Sequence, residues 1–565
     1  MRYPLQLLLS FFLLSLLFVK PTHAQIGWTK SYEQGTVVAA EQKAADIGRQ
    51  ILEEGGNAVD AAVAVQFALA VTLPRAGNIG GGGFMVLHLA GGTTRALDFR
   101  EVAPDRASRD MFIRNGEYQP DLSRRSILAS GVPGVVDGMI KATERYGRLP
   151  LEAVIRPAIT LAREGYALSW TQAQTLNNHA SSFKQYQGSR RYFTKQSGRP
   201  FAEGDRFVQK DLAQTLDRIA RFGREGFYSG RTADMIVREM NRHGGLITHR
   251  DLKNYQSTWR DPVETHFRGY DLHIMPPPSS GSIAIAQILN MVDNYPLREL
   301  GFNSTDYIHL LTEAMRRAFA DRAHFLGDPD FVDIPVSQLI SRSYSDRRMQ
   351  SFDPMQATES DNIDHGSIPG FRSSETTHYS IVDDEGNAVA VTTTLNGSFG
   401  SKISVDGAGF LLNNEMDDFT AEPGEPNMFG LVQGKANAIE PGKRMLSSMS
   451  PSIVTQKGEI RMMLGAAGGP RIITAILQNF LNIAVFGMNA QQALSAPRFH
   501  HQWLPDQLFY EPYGLTRDTR EELVKKGHRL TTRDTIGRSH IIYVDETGIR
   551  HGAADPRGDG YVSGY

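Results

Sequence analysis

The pattern of apolar and polar positions divides the chain into three regimes. The first is an apolar run from Leu7 to Val19, broken only by Ser10 and Ser15 and flanked by Arg2 and Lys20. It is shorter than the roughly 17 to 25 residues that a membrane span requires, and the small-residue exit Thr22-His23-Ala24 follows it. This pattern predicts a secretory leader over residues 1–24, cleaved after Ala24, and no membrane span in the mature form. The second regime is mainly helical. Helix formers from Ala39 to Glu54 end at Gly55-Gly56, and Asn57 is placed to cap the strongly apolar segment Ala58 to Val71. The glycine run of "GNIGGGGFMVLHL" then feeds a strand. Residues 130 to 330 read as mostly helical, and between Ser304 and Phe325 the positions Tyr307, Ile308, Leu311, Ala314, Met315, Ala318 and Phe319 form one stripe, predicting a packing helix. Between Phe352 and Ser374 the periodicity stops and Asp, Ser, Gly and Pro predominate, which predicts an exposed, mobile connection. From Thr376 onward the period changes to two. "THYSIVDD", "NAVAVTTTLN", "GAGFLLNN", "PSIVTQKGEI" and "RMMLGAA" read as strands, so the third regime opens at the Glu375-Thr376 bond.

Composition narrows the chemistry. The 565 residues are 41% hydrophobic and 22% charged, with a formal net charge of -2, a balance that offers no concentrated basic surface for nucleic acid. Cysteine is absent, which excludes disulfides, thiol nucleophiles and thiolate metal sites. No His-Glu-x-x-His occurs, His500 and His501 are adjacent rather than at ligand spacing, and the glycine run lacks the Gly-Lys-Ser/Thr of a phosphate loop. No Gly-x-Ser-x-Gly elbow is present either. Neither a metal nor a cofactor is implied.

Hydroxyls crowd the boundary between the second and third regimes, from Ser373-Ser374-Glu375-Thr376-Thr377 to Thr392-Thr393-Thr394. Threonine suits a pleated strand, and β propensity accounts for Thr392 and Thr393. A cut between Glu375 and Thr376 would do more. It would give Thr376 a free α-amino group, with an ordinary pKa of about 7.7 to 8.0, able to accept the proton of its own hydroxyl. Before the cut, the same hydroxyl can attack the preceding carbonyl, giving by an N-to-O acyl shift an ester that water hydrolyses.

The stretch Thr-Thr-His-x-Ser, Gly-Asn-x-Val, Thr-x-Thr-Leu-Asn and Phe-Gly after residue 375 resembles the signature of the γ-glutamyltransferase family. Further matches follow in family order over nearly the whole mature chain: "AGNIGGGGF", "LDFRE", "MPPPSSG", "LLNNEMDDF", "LSSMSP" and "GAAGGPRI". The resemblance implies an α+β protein, a four-layer αββα sandwich of the N-terminal nucleophile hydrolase type. Self-cleavage would yield a large subunit 25–375 and a small catalytic subunit 376–565 that stay together. Thr376 would be the nucleophile and base, Thr394 its hydrogen-bonded orienting partner, and Gly468 and Gly469 the oxyanion hole. Arg100, Ser447 and Ser448 would hold the α-carboxylate of a γ-glutamyl donor, and Asn396, Glu415 and Asp418 its α-ammonium. Glu415 stands where many bacterial relatives have glutamine. Residues 421–444 match a lid loop, with Phe429 where tyrosine is common, while Asp417 is expected to serve the turn. The donor implied is glutathione or a related γ-glutamyl compound, the acceptor water, an amino acid or a dipeptide, and the location periplasmic or secreted. Two other readings fit parts of the sequence. One is a cephalosporin or glutaryl acylase of the same fold, which the carboxylates for an ammonium disfavour. The other is an exported amino-acid-binding protein without turnover, which requires an intact chain.

Overall fold

The computed structural model describes residues 29–363, 376–422 and 424–565. The leader and Glu375 lie outside the described residues. Fourteen strands build two seven-stranded sheets. In chain order they are β1 (Lys30–Tyr32), β2 (Thr36–Ala39), β3 (Gly82–His88), β4 (Thr94–Asp98), β5 (Thr258–Arg260), β6 (Val263–Phe267), β7 (Tyr270–Ile274), β8 (Thr376–Val382), β9 (Ala388–Thr394), β10 (Ser452–Gln456), β11 (Glu459–Ala467), β12 (Arg538–Val544), β13 (Arg550–Ala554) and β14 (Tyr561–Gly564). One sheet runs β1-β13-β12-β11-β10-β7-β6, the other β14-β2-β8-β9-β3-β4-β5, and every pairing in both is antiparallel. Each sheet therefore draws strands from both sides of Thr376. The chain does not divide into a helical half and a strand half as the period change suggested.

Helices cover the outer faces. Against the β8 sheet lie α1 (Gln42–Glu53), α2 (Ala58–Thr72), α3 (Val135–Tyr146), α4 (Leu151–Glu164) and α5 (Lys210–Phe222). Against the β11 sheet lie α6 (Gly281–Val292), α7 (Thr305–Phe325), α8 (Arg471–Ala484) and α9 (Ala490–Ser495). The result is the expected αββα sandwich. Side-chain alternation sorts the two cores. Met85, Leu87, Tyr379, Ile381, Val389 and Val391 face the first helical layer, while Phe84, Val86, Val382, Ala388 and Ala390 face the second sheet.

Local signals hold where they are self-contained. Asn57 caps α2 with a reciprocal capping box through Asp60, and Ser304 caps α7. Every residue of α2 is buried, as its uniform apolarity demands. "GAGFLLNN" is not a strand, beyond one isolated bridge from Leu411 to Ser404. Asn413 instead donates to the carbonyls of Gly80 and Gly131 at 2.9 and 2.8 Å, and these side-chain bonds replace a ladder. The connection after Phe352 is also more ordered than expected up to Ile363: Ser360 is buried, donating to the Trp503 carbonyl at 2.6 Å and accepting from Arg316 at 2.6 Å. Among the described residues no helix is long and apolar enough to cross a membrane.

Candidate active site

The site forms where the gap between the two sheets opens. Thr376, the first residue of β8, lies directly opposite Thr394, the last residue of β9, which in turn lies opposite Gly82 on β3. Side chains directly across an antiparallel pair have Cβ atoms about 4.5 to 5.5 Å apart, so the two hydroxyls are neighbours. Because the period is two, Thr376, His378 and Ser380 all point into the inter-sheet gap, where apolar residues would be usual. Their polarity is satisfied there. The His378 ring bonds the Thr392 and Ser380 hydroxyls, each at 2.9 Å, and burial, with the nearby His540 ring, holds its pKa well below the ordinary histidine range, so the ring is neutral. Gly465 on β11 makes room for it, since a Cβ at that position would come within 2.1 Å of the imidazole.

Thr394 accepts the Asn396 N–H at 2.8 Å, and its carbonyl accepts from the Asn78 amide at 2.9 Å. Asn396 has a φ of 73°, a left-handed conformation that asparagine tolerates, and its side chain donates to the Asn414 carbonyl at 3.0 Å. The chain therefore turns at once after β9 and brings Asn396 back to the site.

Across the gap, β11 ends at Ala467 and is followed by Gly468 and Gly469, with φ of 138° and 60°. Only glycine adopts such angles freely. Pro470 is the N-cap of α8, whose first helical residue is Arg471. Neither glycine N–H donates to another group among the described residues.

Beside Thr376 lies a narrow cavity lined by Arg100, Asn396, Glu415, Asp418, Ser447, Ser448, Gly469, Phe429, Thr394 and also Arg322. Nearly all the expected site residues thus meet in one place, and Gly468 lies on the far side of Thr376. Arg100 is fully buried. Its guanidinium donates to Glu415 and, at 2.7 Å, to Asp418, and its Nε donates to the Met445 carbonyl at 3.3 Å. Glu101 stands 3.7 Å away on the same guanidinium. Burial works against the charge of Arg100, but these three carboxylates outweigh it and raise its pKa. The acids pay the other side of that arrangement: burial pushes Glu101 up to about 7, Asp418 up to about 6 and Glu415 well above the usual carboxylate range. One oxygen of Glu415 and both of Glu101 have no hydrogen-bond partner among the described residues.

The serines are held by "MPPPSSG". Ser447 N–H donates to the Pro278 carbonyl, and Ser280 N–H to the Ser447 carbonyl, both at 2.8 Å. The segment 424–444, expected to be a lid, hangs on two neighbouring acids. Asp418 accepts from the Asn427 amide at 3.2 Å, and its carbonyl accepts from Gln433 and Asn437 at 2.9 and 2.7 Å. Asp417 accepts the Met428 N–H at 2.8 Å as well as the Ser123 hydroxyl at 2.5 Å, so it anchors the lid rather than a simple turn. Phe429 is buried against the cavity.

Arg322 is the residue the sequence reading missed. It projects from α7 into the cavity wall and donates only to neutral acceptors: Ser280 at 2.9 Å, Gln433 at 3.3 Å and Ser448 at 3.3 Å. Burial lowers its pKa to about 10. The signal was present, because Arg322 continues the apolar stripe of α7 three residues after Phe319 and four after Ala318. A charge at a core-facing position marks either a buried pair or a site. No cluster of three or more potential metal-ligating side chains occurs among the described residues.

This arrangement can bind a small zwitterion, hold an oxyanion and present a hydroxyl between the two. The comparisons with known proteins agree with it. The Gamma-glutamyltranspeptidase family model matches residues 44–565. The glutathione hydrolase proenzyme of Escherichia coli (strain K12) is 46% identical over 538 residues, 94% of this chain and 92% of that one. Among solved structures, a cephalosporin acylase from Bacillus halodurans superposes with a TM-score of 0.85 at 29% identity, covering 97% of this chain and 98% of its own. The γ-glutamyltranspeptidase of Helicobacter pylori superposes with a TM-score of 0.57 at 48% identity over 58% of this chain and 94% of its own. The site's chemistry and a family match that runs through all of its parts lead to one conclusion: the chain belongs to the γ-glutamyltranspeptidase family.

Proposed function

We propose that this protein is a self-cleaving γ-glutamyl acyltransferase and hydrolase whose donor is glutathione or a related γ-glutamyl amide. The observation that carries the proposal is the internal ion pair between Arg100 and the acids Glu415 and Asp418 in the cavity beside Thr376. A γ-glutamyl head group carries an α-carboxylate and an α-ammonium, so it can replace that pair charge for charge. Its carboxylate takes the Arg100 fork with the Ser447 and Ser448 hydroxyls, and its ammonium takes Glu415, Asp418 and the Asn396 side chain.

The chemistry follows in balanced steps. The chain cleaves between Glu375 and Thr376, leaving large and small subunits 25–375 and 376–565 in one assembly. The freed Thr376 amine accepts the proton of its own hydroxyl as Oγ bonds to the γ-carbonyl carbon, while Thr394 orients that hydroxyl. The Gly468 and Gly469 amides receive the oxyanion; a single such donor is worth about 2.7 to 4 kcal/mol in acyl transfer. The C–N bond breaks as the leaving amine takes the proton from the Thr376 ammonium. Water or an acceptor amine then attacks the ester and gives a proton to the Thr376 amine, which passes it to Oγ as the ester C–O bond breaks and the hydroxyl re-forms. Phe429 and the lid restrict water during this interval. The apolar run Leu7 to Val19 and the exit at Ala24 support export to the periplasm or medium.

A glutaryl acylase, as the Bacillus halodurans likeness invites, is the second reading. A glutaryl group lacks the ammonium and would leave two buried carboxylates without a second cation. Intact mass and N-terminal sequencing should give a fragment starting at Thr376, absent from Thr376→Ala. Turnover of γ-glutamyl-p-nitroanilide should exceed that of glutaryl-p-nitroanilide by about 10-fold or more, the value of one charge-assisted contact. An unsplit, folded, inactive wild-type chain would sink the reading, and equal rates would favour the acylase.

A further inference from the structure

Arg322 has no role in the acyl-transfer steps above, yet its place in the fold is unusual. It lies in the last turn of α7, is buried, and lines the Arg100 cavity. A buried guanidinium is ordinarily paired with a carboxylate. Arg100, in the same wall, follows that rule, with Glu101, Glu415 and Asp418 all within ion-pair distance. Arg322 departs from it and forms no ion pair among the described residues. Asp418 attracts it electrostatically without touching it, and burial outweighs that attraction. The carbonyl end of α7 lends it partial negative charge, but no full counter-charge.

The three hydrogen bonds of Arg322 join three segments that meet at one end of the cavity. Nε donates to the Ser280 hydroxyl at 2.9 Å, and Ser280 passes its own proton to the Ser447 carbonyl at 2.7 Å. Nη1 donates to the Gln433 carbonyl oxygen at 3.3 Å, so the Gln433 amide faces the Asp418 carbonyl at 2.9 Å. Nη2 donates to the Ser448 hydroxyl at 3.3 Å. A hydroxyl that accepts from a cation must turn its own proton away from that cation. The Ser447 hydroxyl is likewise an acceptor, of the Met449 N–H at 3.1 Å. Both serines that line the cavity thus have an acceptor position filled from behind and a proton to give to an anion.

We propose that Arg322 is a positioning and specificity-determining residue for the donor's α-carboxylate: it holds Ser448 directly and Ser447 through Ser280, and supplies positive charge that no neighbouring acid has already matched. This role presupposes the γ-glutamyl transfer reading. Arg100 brings a fork that three acids share, so a carboxylate arriving there gains less net charge than one placed between Ser448 and Arg322. The donor's carboxylate becomes the counter-ion that Arg322 lacks within the protein. A donor without that carboxylate, such as a 4-aminobutanoyl amide, gains nothing from Arg322, while its ammonium still finds Asp418.

The test measures kcat/KM for the p-nitroanilides of γ-glutamate, 4-aminobutanoate and glutarate in wild type, Arg322→Met, Arg322→Lys, Ser448→Ala and the Arg322→Met/Ser448→Ala double variant. Wild type should favour the γ-glutamyl over the 4-aminobutanoyl donor by about 100-fold, the value of two charge-assisted contacts. Arg322→Met keeps the apolar stem and should lower that ratio about tenfold, whereas Arg322→Lys, which keeps the charge but not the fork, should recover part of the loss. The glutaryl donor retains the carboxylate and should lose the same factor as the γ-glutamyl one. The double variant should lose less than the product of the two single losses, because both act on one contact. Should Arg322→Met not fold, Arg322→Gln makes the same comparison with hydrogen bonding to Ser280 retained. A variant that slows all three donors equally marks a purely structural residue and overturns the inference while leaving γ-glutamyl transfer intact; so does a wild type that does not distinguish the γ-glutamyl from the 4-aminobutanoyl donor. Equal wild-type rates on γ-glutamyl and glutaryl donors overturn the γ-glutamyl reading instead, and leave the carboxylate role of Arg322 to be decided by the 4-aminobutanoyl ratio.

Discussion

Two of the cavities that Thr376 lines hold charge in different ways. The one holding Arg100 is small and electrically self-paired: cations and carboxylates are buried together, and the ligand displaces one set of ion pairs by another. The one lined by Arg471, Arg533 and Arg538 is larger, and part of its wall, at Thr532 and Asp534, is exposed. Enclosure explains the difference. A buried charge without a partner costs several kcal/mol, so the pocket lined by Arg100 carries its own counter-ions, whereas acids also act on the cations of the larger cavity, Asp534 on Arg533 and Asp555 and Asp559 on Arg538.

The largest effect expected is from Thr376→Ala, which removes the nucleophile common to both cavities. Turnover should fall by a factor on the order of 10⁶, and the chain should stay unsplit by intact mass. Next is Arg100→Ala, which leaves Glu101, Glu415 and Asp418 facing one another. Urea unfolding should show a loss of about 3 to 5 kcal/mol, the cost of breaking a buried pair, together with loss of donor binding. Arg322→Ala should cost less stability, because its described partners are neutral.

Asp418→Asn should lower kcat/KM for γ-glutamyl donors by about 10- to 100-fold and narrow the gap to glutaryl donors, since only the former lose a charge partner. The lid should loosen little, because Gln433 and Asn437 bind the Asp418 backbone carbonyl. The pH dependence sharpens the same contrast. Asp418 ionises at about 6, so the donor KM should rise as pH falls below that value, while the KM of a glutaryl amide should not. Stability has the reverse sign. The folded pKa values lie above the ordinary ones, so the contribution is complete below about pH 4 and is lost as pH rises through about 6 for Asp418 and about 7 for Glu101. Phe429→Tyr carries the smallest expected effect. A new hydroxyl in the lid should change the ratio of transfer to hydrolysis by no more than about tenfold, measured by product partitioning with glycylglycine.

Much of this was legible in the chain itself. Capping at Asn57 and Ser304, the uniform burial of α2, and the strands around Thr376 and Thr394 depend on neighbours within a few residues, and period and caps report those directly. The charged residues of the Arg100 cavity were recoverable because their motifs keep a family order. What sequence misassigned was long-range. "GAGFLLNN" carries a short apolar run that reads as a strand, yet the Asn413 amide donates to the carbonyls of Gly80 and Gly131, which no local pattern announces. Arg322 went unread because its partners, Ser280, Gln433 and Ser448, lie far along the chain.

By itself, then, the sequence determined most of the strands and helices, the bond that places a threonine at a strand start, and all of the charges of the Arg100 cavity except Arg322. The tertiary structure alone decided that β8 and β11 come from different sheets facing one another, so that the hydroxyl of Thr376 and the amides of Gly468 and Gly469 meet at the mouth of one gap. It also decided that Arg471, Arg533 and Arg538 share a cavity with Thr376. The physical reason is that alternation fixes which face a side chain takes, whereas the partner of that face is set by packing between layers, through contacts hundreds of residues apart that leave no period in the chain.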